Sequence, residues 1–400
     1  MKKIKTNGAK WRGLLAIAFI AVIGFSFVAC SDDGGGGTGG GGGGGKSWKA
    51  VTNSPFDYMI EGVSMEYINT IAYGNGKFVA GGTGYFRGAD NKLNIYGKIA
   101  TSSDGITWTV QTNQPFHMDN SGYGISQIAY GNGKFVAVGG GPSGGKTSFH
   151  NKMAYSSDGI TWIAVADTAL DDKSGINVVY GNGKFVAFAK VGSSVGYRMA
   201  YSADGATWTS FTDSPNNPFK NNQFMSGAVG IDTIAYGNNK FYGWGIVTLS
   251  PSTYLSTSPD GVTWTELTET NLGNLYLSNA TMEAIAYGNG KFVIGNYYGR
   301  MATSPDGVTW TIVDDSNNPF DSWPNRGNPI RTITYGNSRF VAGGDYGQMA
   351  TSTDGIKWTA DTGWADVTKD IIGASSINTI AYGNGKFVAG GDRSHMAYWD

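Results

Sequence analysis

The stretch INTIAYGNGKFVA, residues 68–80, decides the fold of this chain. Two β-prone runs flank Asn75-Gly76, and Asn-Gly in that setting is the strongest short hairpin signal because a type I′ turn needs positive φ at both central residues. The motif Y-G-N-x-K/R-F recurs seven times, opened by Tyr73, Tyr130, Tyr180, Tyr236, Tyr287, Tyr335 and Tyr382. The chain therefore contains seven predicted hairpins.

A second motif, S-x-D-G-x-x-W, follows six of these hairpins and ends at Trp108, Trp162, Trp208, Trp264, Trp310 and Trp358. In the first copy, residues 98–102 and 107–110 are predicted strands around a tight turn. The Asp104 carboxylate and the Ser102 hydroxyl are suited to accept the N–H groups of that turn, and Gly105 to adopt its strained φ. Each of these six repeats thus supplies four antiparallel strands.

The spacing of the repeats predicts an all-β, seven-bladed β-propeller with four-stranded antiparallel blades. Successive repeat tyrosines lie 47 to 57 residues apart, a period typical of propeller blades. The seventh copy, residues 377–400, supplies only three strands. Residues 47–56 match residues 107–116, so we expect the N-terminal strand to pair with the last blade and close the ring.

The second motif resembles the Asp-box of the bacterial neuraminidase repeat family, S/T-x-D-x-G-x-T-W, although here the turn is one residue shorter. The resemblance implies a propeller whose Asp-boxes are structural and face away from the ligand. The family includes sialidases, other glycosidases, non-enzymatic binding proteins and a photosystem II assembly factor. The chain lacks the Arg-Ile-Pro segment of sialidases, so no catalytic residue can be assigned from the resemblance.

The N-terminal segment predicts membrane attachment. Residues 1–29 have a basic head and a short apolar run, which are typical of a signal peptide. Their end resembles a bacterial lipobox and makes Cys30, the only cysteine, a predicted lipidation site; an uncleaved transmembrane anchor is the alternative. Residues 30–46 form a glycine-rich tether and residues 47–400 the propeller. The predicted location is the bacterial cell envelope, at the outer membrane or cell surface.

Composition excludes several classes of function. The net charge of −1 and the 15% of charged residues provide no field to attract nucleic acid. One cysteine excludes a disulfide framework, and the three histidines are scattered over three repeats, which argues against a metal site. We predict a monomer without a cofactor.

Candidate ligand-binding residues lie opposite the short, nearly invariant hairpin turns, where loops such as residues 81–97 vary between repeats. Asp232, Glu283 and Arg331 stand four residues before three successive repeat tyrosines, and Asn69, Ser126 and Asn378 have the same position in other repeats, so we expect all six in a ring around the mouth of the central channel. Arg198 and Arg300 begin third strands on the same face, and arginine suits carboxylate or phosphate recognition. The alternative is a polar network with no ligand.

These observations favour a binding protein for a protein or glycan ligand, attached to the membrane through its N-terminal lipid. One alternative is a sialidase-like glycoside hydrolase acting on an anionic glycan, with Asp232 and Glu283 as its two carboxylates. Another is a non-enzymatic assembly or scaffold factor, since a shared fold does not establish a shared function.

Overall fold

The structure is a computed structural model that describes residues 47–400 except 58, 61–62, 65, 88–90, 92, 114, 117–123, 143–148, 167–169, 171–173, 191–196, 211–228, 248–252, 268–281, 321–327 and 365–374. The predicted signal peptide, Cys30 and the glycine-rich tether lie outside the described residues. No helix within the described residues is long and apolar enough to cross a membrane.

The described residues form seven four-stranded antiparallel sheets and one small hairpin. The chain begins with β1 (Lys49–Ala50), β2 (Met59–Ile60) and β3 (Val63–Ser64), the last two forming the hairpin. Blade 1 contains β4 (Tyr67–Gly74), β5 (Lys77–Arg87), β6 (Leu93–Ser102) and β7 (Thr109–Gln111). Blade 2 contains β8 (Gly124–Gly131), β9 (Lys134–Pro142), β10 (Phe149–Ser156) and β11 (Ile163–Ala164).

Blades 3 to 6 repeat this order. Blade 3 contains β12 (Ser174–Gly181), β13 (Lys184–Lys190), β14 (Tyr197–Ser202) and β15 (Thr209–Ser210), and blade 4 contains β16 (Val229–Gly237), β17 (Lys240–Val247), β18 (Thr253–Ser258) and β19 (Thr265–Leu267). Blade 5 contains β20 (Met282–Gly288), β21 (Lys291–Asn296), β22 (Met301–Ser304) and β23 (Thr311–Ile312), and blade 6 contains β24 (Ile330–Gly336), β25 (Arg339–Gly344), β26 (Met349–Ser352) and β27 (Thr359–Asp361).

Blade 7 confirms the predicted closure of the ring. It contains β28 (Ile377–Gly383), β29 (Lys386–Gly391) and β30 (Met396–Trp399), and its fourth strand is β1 from the other end of the domain. The register pairs Lys49 with Tyr398 and Ala50 with Ala397. The first strands of neighbouring blades contact one another around the whole circle, including β28 with β4. The seven-bladed propeller is therefore closed.

The glycine after each repeat tyrosine is required by close packing between blades. A Cβ atom on Gly74 would lie 2.1 Å from Cγ of Tyr130, the repeat tyrosine of the next blade. The same contact joins Gly131 to Tyr180, Gly181 to Tyr236, Gly237 to Tyr287, Gly288 to Tyr335, Gly336 to Tyr382 and Gly383 to Tyr73. One glycine–tyrosine pair thus packs at each of the seven junctions.

The two repeated motifs also bind each other across the junctions. Asn75 and Gly76 adopt φ values of 47° and 73°, as the predicted type I′ turn requires. The side-chain amide of Asn75 donates to the carbonyl oxygen of Ser157, in the turn before the last strand of blade 2, at 3.3 Å. Equivalent bonds join Asn132 to Ala203, Asn182 to Pro259 and Asn384 to Ser103.

The turn before the fourth strand is stabilised from within. In blade 1, Oδ1 of Asp104 accepts the N–H groups of Ile106 and Thr107, both at 2.8 Å. The Ser102 hydroxyl accepts the Gly105 N–H and donates to Asp104 Oδ1, each at 2.8 Å. These bonds satisfy donors that the tight reversal would otherwise leave without partners, and all six copies of the motif repeat them.

In each blade the first strand is innermost, and one of its edges is not paired with another strand. Side chains of neighbouring blades accept hydrogen bonds from N–H groups on that edge. The hydroxyl of Thr70 accepts the N–H of Ile128, and that of Thr379 accepts the N–H of Ile71. Thr332 and Gln127 accept the N–H groups of Ile380 and Val178 in the same way. An innermost strand is a sheet edge, so these bonds satisfy donors that would otherwise attract another strand.

The junction between blades 6 and 7 differs because the chain termini replace the last tight turn. In the register of β29 and β30, Trp399 lies opposite Phe387. The equivalent residue in blade 1 is Ser102, the first residue of the S-x-D-G turn, which lies opposite Phe78. Arg339, which stands where the other blades have lysine, lies with Cζ 4.9 Å from the centre of the Trp399 ring. At the junction between blades 3 and 4, the equivalent lysine, Lys184, donates to the carbonyl oxygen of Asp260 in the S-x-D-G turn of blade 4. The exceptional arginine therefore compensates for the missing turn.

Gly74→Ala should destabilise the ring, because the new methyl group would overlap the Tyr130 ring. Overpacking of this kind costs about 1–3 kcal/mol of unfolding free energy, measured by urea denaturation. Gly76→Asn is the matched control, since nothing lies within 4 Å of its Cβ position and blade 4 already has Asn239 there at φ 58°. Equal losses in the two variants would contradict the packing role of Gly74.

Arg339→Met should lower the unfolding free energy by about 1 kcal/mol, because it removes the cation above the Trp399 ring but keeps an aliphatic stem. Lys240→Met, at the equivalent exposed position of blade 4, should change it by less than about 0.5 kcal/mol. Urea denaturation of both variants measures the difference. An effect of the same size at both positions would show that no special contact exists at the closure.

Stability should fall in acid because the turn carboxylates titrate there. The pKa of Asp104 lies below its ordinary value of 3.8: partial burial would raise it, but hydrogen bonds from Thr107, Ile106 and Ser102 outweigh that effect. The pKa is also lowered at Asp158, Asp204, Asp260, Asp306 and Asp354. When folding lowers the pKa of a carboxyl group, that group stabilises the folded state fully at pH values above its pKa in the unfolded state. This stabilisation is lost as the pH falls through the pKa of the group in the folded state.

We therefore expect these six carboxylates to leave the melting temperature constant above about pH 5 and to make it fall below about pH 4. Asp354→Asn removes one titrating group and should flatten the decline. Circular dichroism melts from pH 6 to pH 2.5, about the range over which these groups titrate, provide the measurement. A midpoint that stays constant down to pH 3, about one unit below the unfolded value, would contradict the prediction.

Candidate functional site

The two ends of the propeller differ in structure. We call the end that contains the Y-G-N and S-x-D-G turns the turn face and the opposite end the variable face. First strands begin at the variable face and end at the turn face, and second strands run back. The variable face therefore contains the starts of the first and third strands and the ends of the second strands.

A β-bulge interrupts the first strand of six blades just below the variable face. In blade 6, for example, Ile330 pairs with Gly344 and Thr332 with Gly343, so Arg331 is the extra residue. The extra residue in the six blades is Asn69, Ser126, Asp232, Glu283, Arg331 or Asn378. In blade 3 the shift lies between Ser174 and Ile176 instead. Bulges re-aim side chains, so the predicted ring around the mouth coincides with a repeated bulge.

Four of these residues contribute to one cavity at the mouth of the channel. The cavity has a volume of about 350 Å³, and it is lined by Tyr67 and Asn69 of blade 1, Glu283 of blade 5, Arg331 of blade 6, and Asn378 and Asp392 of blade 7. All six side chains are polar. We call this site the mouth cavity.

Two asparagines hold the wall of the mouth cavity in place. The amide of Asn69 donates to the carbonyl oxygen of Ile125 in blade 2 at 2.8 Å. The amide of Asn378 donates to Oδ1 of Asp392 at 2.8 Å and to the carbonyl oxygen of Ile68 in blade 1 at 3.3 Å. Blades 7, 1 and 2 are therefore joined at the cavity itself, which orients its polar groups before any ligand arrives.

Arg331 is surrounded by carboxylates. Its Nε donates to Oδ1 of Asp345, which begins a 3-10 turn at Asp345–Gly347 directly after β25. Burial would lower the pKa of Arg331, but the bond to Asp345 and the charges of Asp345, Glu283 and Asp392 raise it. Three carboxylates thus interact with one guanidinium, so carboxylates outnumber cations in this group of four described residues.

The structure brings two of the five predicted ligand-binding residues together, Glu283 and Arg331. Asp232 lies in β16 and Arg198 in β14, but their side chains lie outside the described residues. Arg300 does not line the mouth cavity; its backbone N–H donates to Oδ1 of Asn296 at 2.9 Å. Ligand binding by these five residues stays a prediction.

Sequence analysis missed three residues of the site: Tyr67, Asp345 and Asp392. Both aspartates follow a Gly-Gly pair at the end of a second strand, at residues 343–345 and 390–392. The repeat of this G-G-D pattern in the last two blades was a signal that could have identified them. Residues 81–97, predicted to be a variable loop, instead belong largely to β5 and β6, whose pairing extends to Arg87 and Leu93.

Two exposed tyrosines lie on the variable face beside the mouth cavity. Tyr297 directly follows β21, the place that Asp345 has after β25, and is 49% exposed. Tyr346 directly follows Asp345, is 69% exposed and adopts a φ of 56°. They are the only exposed large aromatic residues within the part of the chain that the structure describes.

The described residues contain no group of three or more His, Cys, Asp or Glu side chains arranged to hold a metal ion. The described lining of the mouth cavity consists of two carboxylates, two amides, a phenol and one guanidinium. Such groups recognise a polar or charged ligand through hydrogen bonds and ion pairs.

Comparison with known proteins identifies the fold. No family model matches the chain, and no curated protein matches its sequence. The chain is similar to the solved structure of YCF48 from Cyanidioschyzon merolae, with 14% identity and a TM-score of 0.53, over 88% of this chain and 98% of that one. The chain is also similar to the structure of YCF48 bound to D1 peptide, with 14% identity and a TM-score of 0.51, over 88% of this chain and 97% of that one.

An alpha-L-arabinanase of Penicillium chrysogenum complexed with arabinobiose is also similar, with 13% identity and a TM-score of 0.46, over 74% of this chain and 93% of that one. At 14% identity, the similarity to the two YCF48 structures concerns the fold alone, and function has to be argued from the site.

Proposed function

We propose that this protein is a binding protein that recognises a protein or glycan ligand through its variable face, with the mouth cavity as the recognition site. The observation that carries the proposal is the convergence of six polar side chains from four consecutive blades on one cavity of about 350 Å³. That volume lies at the lower end of the range for small-ligand sites. It suits one side chain or sugar ring of a larger ligand.

The rigidity of the scaffold supports this role. Asn69 and Asn378 are already bonded to neighbouring blades, so little conformational entropy is lost at these positions when a ligand binds. A propeller is also compatible with peptide binding, since one similar structure, YCF48, is bound to D1 peptide.

The chemistry of the cavity favours binding over glycoside hydrolysis. A hydrolase needs one carboxyl group that keeps its proton and a second, ionised carboxylate. Among the described residues, the carboxylates in the lining are Glu283 and Asp392, and both interact electrostatically with Arg331. A nearby guanidinium is an unfavourable neighbour for a protonated carboxyl group, so this arrangement is better suited to hold a ligand than to cleave it.

The topology indicates at which end of the propeller a lipid tether would attach. Strand β1 is antiparallel to β30, which runs towards the turn face, so Ser47 lies at the turn-face end of β1. A tether formed by residues 30–46 would therefore join the propeller on the turn face. With Cys30 lipidated in the cell envelope, as we propose, the mouth cavity would lie at the end of the propeller opposite the point where the tether attaches.

The test uses full-length protein carrying Cys30→Ser, which prevents lipidation, on combined peptide and glycan arrays. Glu283→Arg should reduce binding of the selected ligand at least about tenfold, because it reverses a charge and fills part of the cavity. Lys357→Ala, an exposed position on the turn face, is the matched control and should leave binding unchanged.

Binding that survives Glu283→Arg would contradict the mouth cavity as the recognition site. Hydrolysis of a bound glycoside, lost in Glu283→Gln, would support the hydrolase alternative instead. Circular dichroism melts of each variant establish that a loss of binding is not a loss of fold.

A further inference from the structure

The charges at the mouth cavity determine which ligands it favours. Among the described residues of the lining, Arg331 is the only cation, and its guanidinium is already paired with Asp345, whose side chain is only 19% exposed. Glu283 and Asp392 add two more negative charges around the same guanidinium. An anionic ligand would therefore compete with Asp345 for Arg331 and be repelled by the other two carboxylates. A cationic group would meet a net attraction.

The tyrosines beside the mouth cavity point to the same class of ligand independently of these charges. Tyr346 and Tyr297 are exposed by 69% and 49%, although large aromatic side chains usually gain stability by burial. The face of a tyrosine ring attracts an ammonium or guanidinium group.

We infer that the mouth cavity binds a lysine or arginine side chain presented by a protein partner, with Glu283 and Asp392 facing the cation and Tyr346 and Tyr297 beside it. The inference rests on the proposed function, because it specifies the ligand class of the same site. A neutral sugar would use the amides but would not exploit the excess of carboxylates. The geometry thus favours a basic segment of a protein over a glycan.

The experiment uses fluorescent peptides of sequence Gly-Gly-X-Gly-Gly and full-length protein carrying Cys30→Ser. X is lysine, arginine, glutamate or norleucine, which has the stem of lysine without its ammonium group. Fluorescence anisotropy should detect binding of the lysine and arginine peptides but not of the other two. The affinity should fall as ionic strength rises, because salt screens the attraction.

Substitution of Arg331 tests the sign of the electrostatic effect. Arg331→Gln removes the internal cation and should increase the affinity for the lysine peptide about fivefold, as expected when one repulsive charge a few ångströms away is lost. Glu283→Gln should decrease it by a similar factor, and Tyr346→Ala by about two- to fivefold. Ile356→Ala, an exposed apolar position on the turn face, is the matched control and should have no effect.

The outcomes separate this inference from the proposed function. Weaker binding of the lysine peptide in Arg331→Gln, with the fold intact by circular dichroism, would overturn the cation inference. So would selective binding of a neutral oligosaccharide that Glu283→Arg abolishes, although the proposed function would then stand. If no peptide or glycan depends on Glu283, both proposals fail.

Discussion

The contact between the repeat tyrosine of one blade and the glycine of the preceding blade is the constraint on which the propeller depends. At each of the seven junctions the tyrosine occupies space that any larger residue would fill. The contact lies next to the Y-G-N turn and sets how closely two blades approach there. The amide of Asn75 can reach the carbonyl of Ser157 in the next blade only because of that approach. One local contact, repeated seven times, thus produces a closed ring.

The closure shows how the molecule adapts when this repeat is interrupted. Blade 7 takes its fourth strand from the other end of the domain, so the tight turn before that strand does not exist. Trp48 and Trp399, whose ring centres lie 6.1 Å apart, pack there instead, and Arg339 lies against Trp399. The repeated elements therefore make the turn face nearly uniform, whereas the opposite end of the same strands differs from blade to blade, as expected of a rigid scaffold that presents a binding site.

The candidate site could be predicted only in part. The position four residues before the repeat tyrosine correctly placed Glu283 and Arg331 near each other, because equivalent positions in a ring of repeats face the same axis. Sequence analysis did not anticipate that Arg331 would pair with Asp345, fourteen residues away in the turn that follows the neighbouring strand. That bond depends on a bulge and on a 3-10 turn, which have no periodic pattern. It changes a predicted anion-binding arginine into the centre of a negatively charged cluster.

The sequence by itself determined the number of blades, the type of both tight turns and the strand that closes the ring. The blade count and the turn types follow from local backbone preferences of Asn, Gly, Ser and Asp at fixed spacing, repeated seven or six times. The closing strand follows from the match between residues 47–56 and residues 107–116. Only the tertiary structure decided which polar residues share a cavity and what charge that cavity has. Tyr67, Glu283, Arg331 and Asp392 come from four blades, and their mutual electrostatics depend on distances in space, which residue spacing along the chain does not encode.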